Sequence, residues 1–366
     1  MSPKHAFRIA VMPGDGIGPE VMKAGIAVLE AAAGSDLAFD YQWLEAGAGA
    51  FQRSGSAMSQ EVFDQAKSAD AILLGAMGLP DVRYADGTEI APQLDLRFRL
   101  GLYAGLRPVK ALPGGAEVLR DVRSARIDLV IVRESTEGLF ASHGKGVVED
   151  DAIARDTMVI TRNICERLFD TAFGLAQRRR DEGGKGKVTC VDKANIFASM
   201  AFFRKIFDER AVRFPTIESS YSYVDAAALD LVRKPWEFDV MVMENMYGDI
   251  LSDLTSALIG GMGMAPSADI GDDHGVFQPA HGSAPDIAGQ GIANPVAMIQ
   301  SSAMMLDWLA QRRESPQCAN AARRIDEAVA TMLAAGRVRP VDLGGRDGTE
   351  AVAQAIIDAL PDAAAG

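Results

Sequence analysis

Asp249 and Asp253 stand four residues apart in MYGDILSDLTSAL, so on a helix both carboxylates face the same way. Two like charges at that spacing cost stability unless a cation lies between them. The plainer reading has Asp249 capping the helix and Asp253 in solvent. Lys193 closes a strand-like run in VDKANI, where a lysine commonly faces water. Arg97 lies in QLDLRFRLGLY, Arg107 in the following LRP, and Arg133 at the end of an apolar run. Each arginine alone reads as a solvated surface charge. Where several converge, their planar forks can fix the orientation of a carboxylate as well as neutralise it. GDGIG, with Gly14, Gly16 and Gly18, follows a strand-like run and precedes a helical one, the setting of a phosphate-binding loop. Its spacing is not GxGxxG and it has no P-loop lysine, so alone it reads as a tight turn. HGSAPDIAGQGIANP, from His281 to Pro295, makes a long turn before an apolar helical run, with one acid, Asp286, that looks buried.

The elements that must carry these groups alternate in type. Phe7–Met12, Ala71–Leu74, Ile127–Val132, Val188–Val191 and Phe238–Met243 read as strands. Pro19–Ala32, Gln93–Leu102, a segment around Ile250–Leu258, Pro295–Gln311 and Ala321–Leu333 read as helices. Arg133 and Asp192 fall at strand ends. The alternation predicts an α/β fold.

At 366 residues the chain can bury two cores. It has no run of about 18 apolar residues that could span a membrane, and its start, MSPKHAFRIAVMP, does not resemble a cleaved signal. Cys165, Cys190 and Cys318 are scattered without CxxC spacing and read as reduced thiols in a cytoplasmic protein. A net charge of −13 argues against a nucleic-acid surface, though a local arginine cluster can still attract an anion. Four histidines, none at i, i+4, give no zinc pattern.

Taken together, GDGIG, MYGDILSDLTSAL and HGSAPDIAGQGIANP resemble the β-decarboxylating dehydrogenases, the family that includes isopropylmalate, isocitrate, homoisocitrate and tartrate/D-malate dehydrogenases. The resemblance runs over nearly the whole chain. It implies a two-domain fold that is not a Rossmann fold, with residues 1–102 and 260–366 forming a cofactor-binding domain. Residues 103–259 would form a central dimerisation and substrate domain, with Asp150–Ile160 in an inter-subunit arm. The partners it implies are a small 2-hydroxy di- or tricarboxylate and a second copy of the chain in a homodimer with shared sites, with no nucleic acid and no membrane.

The same resemblance implies residue roles. Arg97, Arg107 and Arg133 would hold the malate carboxylates, and Gln93 and Leu94 would line the pocket for the C3 substituent. Asp225, Asp249 and Asp253 would bind Mg2+ or Mn2+, which suit hard oxygen donors, with Asp225 reaching in from the other subunit. Lys193 and Asp225 would move the proton, with Asn195 near the nicotinamide. His281, Gly282, Ser283, Ala284, Asp286 and Asn294 would hold the adenosine of NAD. An acid at position 286 can accept from both ribose hydroxyls and would repel a 2′-phosphate.

Two departures stand out. RESTEGLFASHG puts Phe140 where the family usually has a tyrosine that protonates C3. His143 could take that task, water could suffice, or the reaction could stop before decarboxylation. The pocket helix carries Gln93 and Leu94, and an amide facing an isopropyl group would leave polar capacity unpaired, at about 1–3 kcal/mol. RESTEG is closer to the isocitrate, homoisocitrate and tartrate forms, whereas HGSAPDIAGQGIANP is closest to the isopropylmalate form. 3-Isopropylmalate is the favoured substrate, with isocitrate, homoisocitrate and tartrate/D-malate as alternatives. A catalytically silent regulatory subunit is the reading from another class. Intact Lys193, Asp225, Asp249 and Asp253 speak against it.

Overall fold

Runs such as AILLGA and VMVM are apolar at every position, which requires strands covered on both faces. The computed structural model describes residues 6–362 and builds them around one such sheet. In chain order the strands are β1 Phe7–Gly14, β2 Phe39–Trp43, β3 Ala71–Ala76, β4 Ala104–Lys110, β5 Asp128–Glu134, β6 Val147–Glu149, β7 Ile153–Arg155, β8 Lys187–Asp192, β9 Glu218–Tyr223, β10 Val240–Met243, β11 Pro266–Ile270 and β12 Gly275–Pro279. The helices are α1 Gly18–Ala33, α2 Ala48–Ser54, α3 Gln60–Ser68, α4 Pro92–Leu100, α5 Arg162–Asp181, α6 Ala198–Ala211, α7 Val224–Arg233, α8 Asn245–Ala257, α9 Val296–Arg313, α10 Pro316–Ala335 and α11 Thr349–Asp358.

Ten strands form one mixed sheet in the order β2-β1-β3-β12-β11-β4-β5-β10-β8-β9. The first five come from residues 1–102 and 260–366, and the last five from 103–259. β11 runs antiparallel to β12 and β4, and β4 antiparallel to β5, while the remaining neighbours are parallel. The strand period sorts side chains between two layers. Ile9, Val11 and Leu73 pack towards α1 and α9 in the main core, while Ala10, Met12, Ile72 and Leu74 join Phe63, Leu96 and Leu100 of α3 and α4. β6 and β7 form a separate exposed hairpin. No helix among the described residues is long and apolar enough to cross a membrane.

The ten elements read from sequence are present, with shifted ends. β5 runs through Arg133 to Glu134, and β8 through Asp192. α10 begins at Pro316 rather than Ala321, and α8 at Asn245 rather than near Ile250. Glu244 is its cap, accepting from the backbone N–H of Tyr247 at 2.8 Å and of Met246 at 3.1 Å. Asp249 therefore does not cap the helix, and it stands in the second turn.

Candidate active site

The sheet seam between β11, β4 and β5 carries a charged centre. Register aligns Asp269 of β11 with Gly105 of β4, and Gly105 with Arg133 of β5. Gly105 is what makes room: a Cβ there would lie 2.7 Å from Ser135 Oγ and 2.9 Å from Asp269 Oδ1. Into this space Arg97 of α4 donates Nε to Asp269 Oδ2 at 3.0 Å, and Arg107 of β4 donates Nη2 to Oδ1 at 3.3 Å. Gln278 Nε2 completes the Oδ2 side at 3.0 Å. Arg97, Arg107, Arg133 and Asp269 are all buried, so none is the solvated surface charge that single residues suggest.

Burial by itself would raise the Asp269 carboxyl, but Arg97, Arg107 and Arg133 outweigh it and hold it at about 2. Burial and the neighbouring Arg97 lower Arg133 to about 10, which leaves it cationic at neutral pH. One carboxylate among three guanidiniums leaves surplus positive charge in a low-dielectric setting, a well for a polycarboxylate. The arginines stand in readable motifs, whereas Asp269 does not. Its one local signal is a lone acid in the otherwise uncharged strand PSADI.

Arg133 links this centre to α8. It donates Nε and Nη2 to Asn245 Oδ1 at 3.0 and 2.7 Å, and Nη1 pairs with Asp249. Gly248 permits the approach, since a Cβ there would lie 2.5 Å from Arg133 Cγ. Asp249 and Asp253 are both exposed on this helix. Partial desolvation, then the Asp249 charge, raise the Asp253 carboxyl above its ordinary range. Phe140 sits on the short turn Leu139–Ser142, its ring centroid 5.1 Å from the Arg133 guanidinium carbon. The turn is shaped by Glu134, which accepts from the backbone N–H of Thr136 at 2.6 Å and of Glu137 at 2.7 Å. His143 ends that turn in an exposed position.

Lys193 and Asp225 form a separate pair. Parallel pairing of β8 with β9 aligns Asp192 with Tyr223, so the two following segments leave the sheet side by side. Lys193 Nζ donates to Asp225 Oδ1 at 2.5 Å, and this hydrogen bond lowers the Asp225 carboxyl. Asn195 is exposed in the turn that follows Lys193. Among the described residues no hydrogen bond or ion pair joins Lys193 or Asp225 to Asp249, Asp253 or the arginines. Nor does any group of three or more His, Cys, Asp and Glu there stand ready to hold a metal ion.

The two glycine-rich loops meet each other. Ile17 N–H donates to Ser283 O at 2.8 Å, and Gly16, at φ +57°, comes so close that a Cβ would lie 1.9 Å from that oxygen. Asp15 is buried and accepts from the backbone N–H groups of Ala48, Gly49 and Gly78 at 2.7, 2.8 and 2.8 Å. GDGIG thus ties α2 and the end of β3 to the second loop. Asp286 corrects the sequence reading, because it is exposed rather than buried. A lone carboxylate among Gly, Pro and Ala stays in water, since burying it unpaired is costly. Asn294 is buried with its amide engaged, Nδ2 to Asp342 Oδ2 at 3.2 Å and Oδ1 to Val296 N–H at 3.2 Å. Gly282 is exposed, Ser283 is buried, and Ala284 takes φ +36°. His281 Nδ1 bonds Gly282 O at 2.9 Å, and its Nε2 is buried without a partner. Burial lowers the imidazole below its ordinary range. Gln93 and Leu94 begin α4, one turn before Arg97, and Gln93 Oε1 is likewise buried without a partner.

The model of the family described as isocitrate/isopropylmalate dehydrogenase matches residues 8–360. The chain belongs to the isocitrate/isopropylmalate dehydrogenase family. It is 42% identical over 352 residues to the 3-isopropylmalate/3-methylmalate dehydrogenase of Methanocaldococcus jannaschii, covering 95% of this chain and 97% of that one. It is 41% identical to a 3-isopropylmalate dehydrogenase of Synechococcus, covering 93% and 91%. Among solved structures, an isocitrate dehydrogenase from Methylococcus capsulatus superposes with a TM-score of 0.83 at 37% identity, covering 97% of this chain and 99% of that one. A β-decarboxylating dehydrogenase from Thermococcus kodakarensis gives 0.77 at 37% identity, covering 97% and 96%.

Two observations bear on what this member of the dehydrogenase family could hold. Asp249 and Asp253 stand one turn apart on the exposed face of α8, and two hard oxygen donors so placed are of the kind a divalent cation takes. With Nδ1–H donating to a carbonyl, neutral His281 leaves Nε2 as a buried acceptor without a partner, which an N–H donor brought against it would satisfy.

Proposed function

We propose that this chain is an NAD- and divalent-metal-dependent dehydrogenase that oxidatively decarboxylates a 3-substituted malate, with 3-isopropylmalate favoured. The observation that carries this reading is the burial of three guanidiniums around the single carboxylate of Asp269, beside the paired acids of α8. The names of the relatives, 3-isopropylmalate dehydrogenase and 3-isopropylmalate/3-methylmalate dehydrogenase, support the substrate class.

Arg97, Arg107 and Arg133 grip the substrate carboxylates and so orient C2 and C3. Lys193, as the neutral amine once its own proton has passed by way of Asp225 to water, takes the proton of the C2 hydroxyl. Asp249 and Asp253, with Asp225 from a second copy of the chain, would hold Mg2+ or Mn2+, which would supply Lewis acidity. His281, Gly282, Ser283, Ala284, Asp286, Asn294 and Asn195 would hold NAD, which would supply the hydride acceptor. Phe140 cannot donate a proton to C3, and His143 at the end of the same turn is our candidate donor. Residues 1–102 with 260–366 act as the cofactor domain and 103–259 as the substrate and dimerisation domain. Their seam falls at β11–β4, within the arginine centre.

The deciding assay follows NADH and CO2 together, with Mn2+ and 3-isopropylmalate, isocitrate, D-malate or tartrate. Matched NADH and CO2 on one of them supports the reading. Reduction without CO2 points to an oxidation that stalls at Phe140, and neither product on any substrate would reject the reading in favour of a silent subunit. A second substrate reading rests on the unpartnered Gln93 Oε1, which favours a C3 substituent bearing a hydrogen-bond donor. Gln93→Leu should move selectivity towards 3-isopropylmalate by about tenfold in relative kcat/KM, given roughly 1–3 kcal/mol for an unmet polar group. An unchanged ratio would remove Gln93 from the pocket.

A further inference from the structure

We propose that Arg204 of α6 is a positioning residue for Lys193 and Asp225, acting through Asp192 and Tyr223; this rests on the dehydrogenase reading above. Asp192 ends β8 with a fully buried side chain, and both of its oxygens face Arg204. Nε reaches Oδ2 at 2.7 Å and Nη2 reaches Oδ1 at 2.7 Å, a two-pronged pairing that fixes the carboxylate plane. Oδ1 also accepts the backbone N–H of Ala194 at 2.8 Å. The residue directly after Lys193 is therefore tied to the carboxylate directly before it.

The same guanidinium holds the other half of the pair. Its carbon lies 4.7 Å from the Tyr221 ring centroid and 5.3 Å from that of Tyr223, both on β9. The Tyr223 ring in turn lies 5.9 Å from Lys193 Nζ. Tyr223 leads into α7, whose second residue is Asp225. One arginine thus restrains Lys193 through Asp192 and Asp225 through Tyr223, and cation–ring attraction keeps the layers in order. A lysine at 204 could neutralise Asp192, but it could not make the fork or stack flat on a ring.

The test compares Arg204→Met, Arg204→Lys, Tyr223→Phe and Tyr223→Ala in the full chain. Its readouts are kcat, KM, the solvent deuterium isotope effect on kcat, and amide hydrogen exchange across residues 192–197. Arg204→Met should cut kcat about tenfold to a hundredfold, the scale of a misplaced reacting group, while KM stays within about twofold. Its solvent isotope effect should rise as proton transfer becomes slower, and exchange at Ala194 should quicken. Arg204→Lys should fall between wild type and Arg204→Met. Tyr223→Phe should match wild type, and Tyr223→Ala should lower kcat, which carries the test if Arg204→Met fails to fold. Retained kcat and isotope effect with faster exchange at Ala194 would overturn the proposal. If the wild type oxidises no 2-hydroxy acid, the dehydrogenase reading fails on its own, and unaltered exchange in Arg204→Met would then sink the restraint itself.

Discussion

Asp269 decides whether three guanidiniums can share one buried site. Removing it leaves Arg97, Arg107 and Arg133 facing one another, with Asp249 the one acid among the described residues still ion-paired to them. Breaking such a buried pairing costs about 3–5 kcal/mol, because the remaining charges stay desolvated. Asp269→Asn keeps the shape and deletes the charge, so urea unfolding near neutral pH should register a loss of that order. The sign with pH follows from the depressed carboxyl. Its folded value of about 2 lies below the ordinary 3.8, so its stabilisation is complete above 3.8 and fades as pH falls towards 2. The depression corresponds to roughly 2–3 kcal/mol. The stability gap between wild type and Asp269→Asn should therefore narrow across that acid window. A gap that stays constant down to pH 2 would mean that Asp269 is not the counter-ion of the cluster.

Helix α8 shows how an element can serve a site at the expense of its own preferences. Glycine inside a helix is worse than alanine by about 0.5–1 kcal/mol, so Gly248→Ala would stabilise an isolated helix. Here the added Cβ would meet Arg133 at 2.5 Å from Cγ and 2.6 Å from Cβ, atoms too near the backbone to swing away. Overpacking of that kind costs about 1–3 kcal/mol, which outweighs the propensity gain. Gly248→Ala should lower the thermal midpoint and raise KM for the hydroxy acid, and a more stable variant with unchanged KM would refute the close-approach argument. The strands with continuous apolar runs and the periodic late helices were legible from sequence because their signals are local. β9, ESSYSY, was not, since an edge strand with polar faces carries no apolar alternation. β4 hid behind Pro108, which is tolerated because it lies beyond the Ala104–Leu106 stretch that pairs with β11. α5 carries a local signal too, since Cys165, Leu168, Phe169, Ala172, Phe173 and Ala176 repeat at helical spacing and are all buried. Arg97, Arg107 and Arg133 were found through motifs, whereas Asp269 lies more than 130 residues along the chain from each, with no spacing to betray it.

At the scale of the whole molecule, the groups assigned to one reaction are divided. The arginines and the acids of α8 form one centre, and Lys193 with Asp225 forms another that no hydrogen bond or ion pair among the described residues joins to it. Exposed apolar side chains stand on the packed helices α7 and α8 (Leu229, Val232 and Ile250) and on the β6–β7 hairpin (Val147, Val148 and Ile153). Apolar surface of this kind favours a protein partner, and a second copy would bring the second centre of one chain to the first centre of the other. That arrangement makes a prediction that a site within one chain cannot imitate. Asp249→Asn and Lys193→Met should each be inactive alone. In a mixed dimer with shared sites, one site collects both substitutions and the other collects neither. Random subunit exchange makes half of the dimers mixed, each with one intact site of two, so activity should return to about a quarter of the wild-type value. Exchange is checked by native mass spectrometry with one variant isotope-labelled. Mixed dimers that form and remain inactive would place Lys193 and Asp249 of the same chain in the same site.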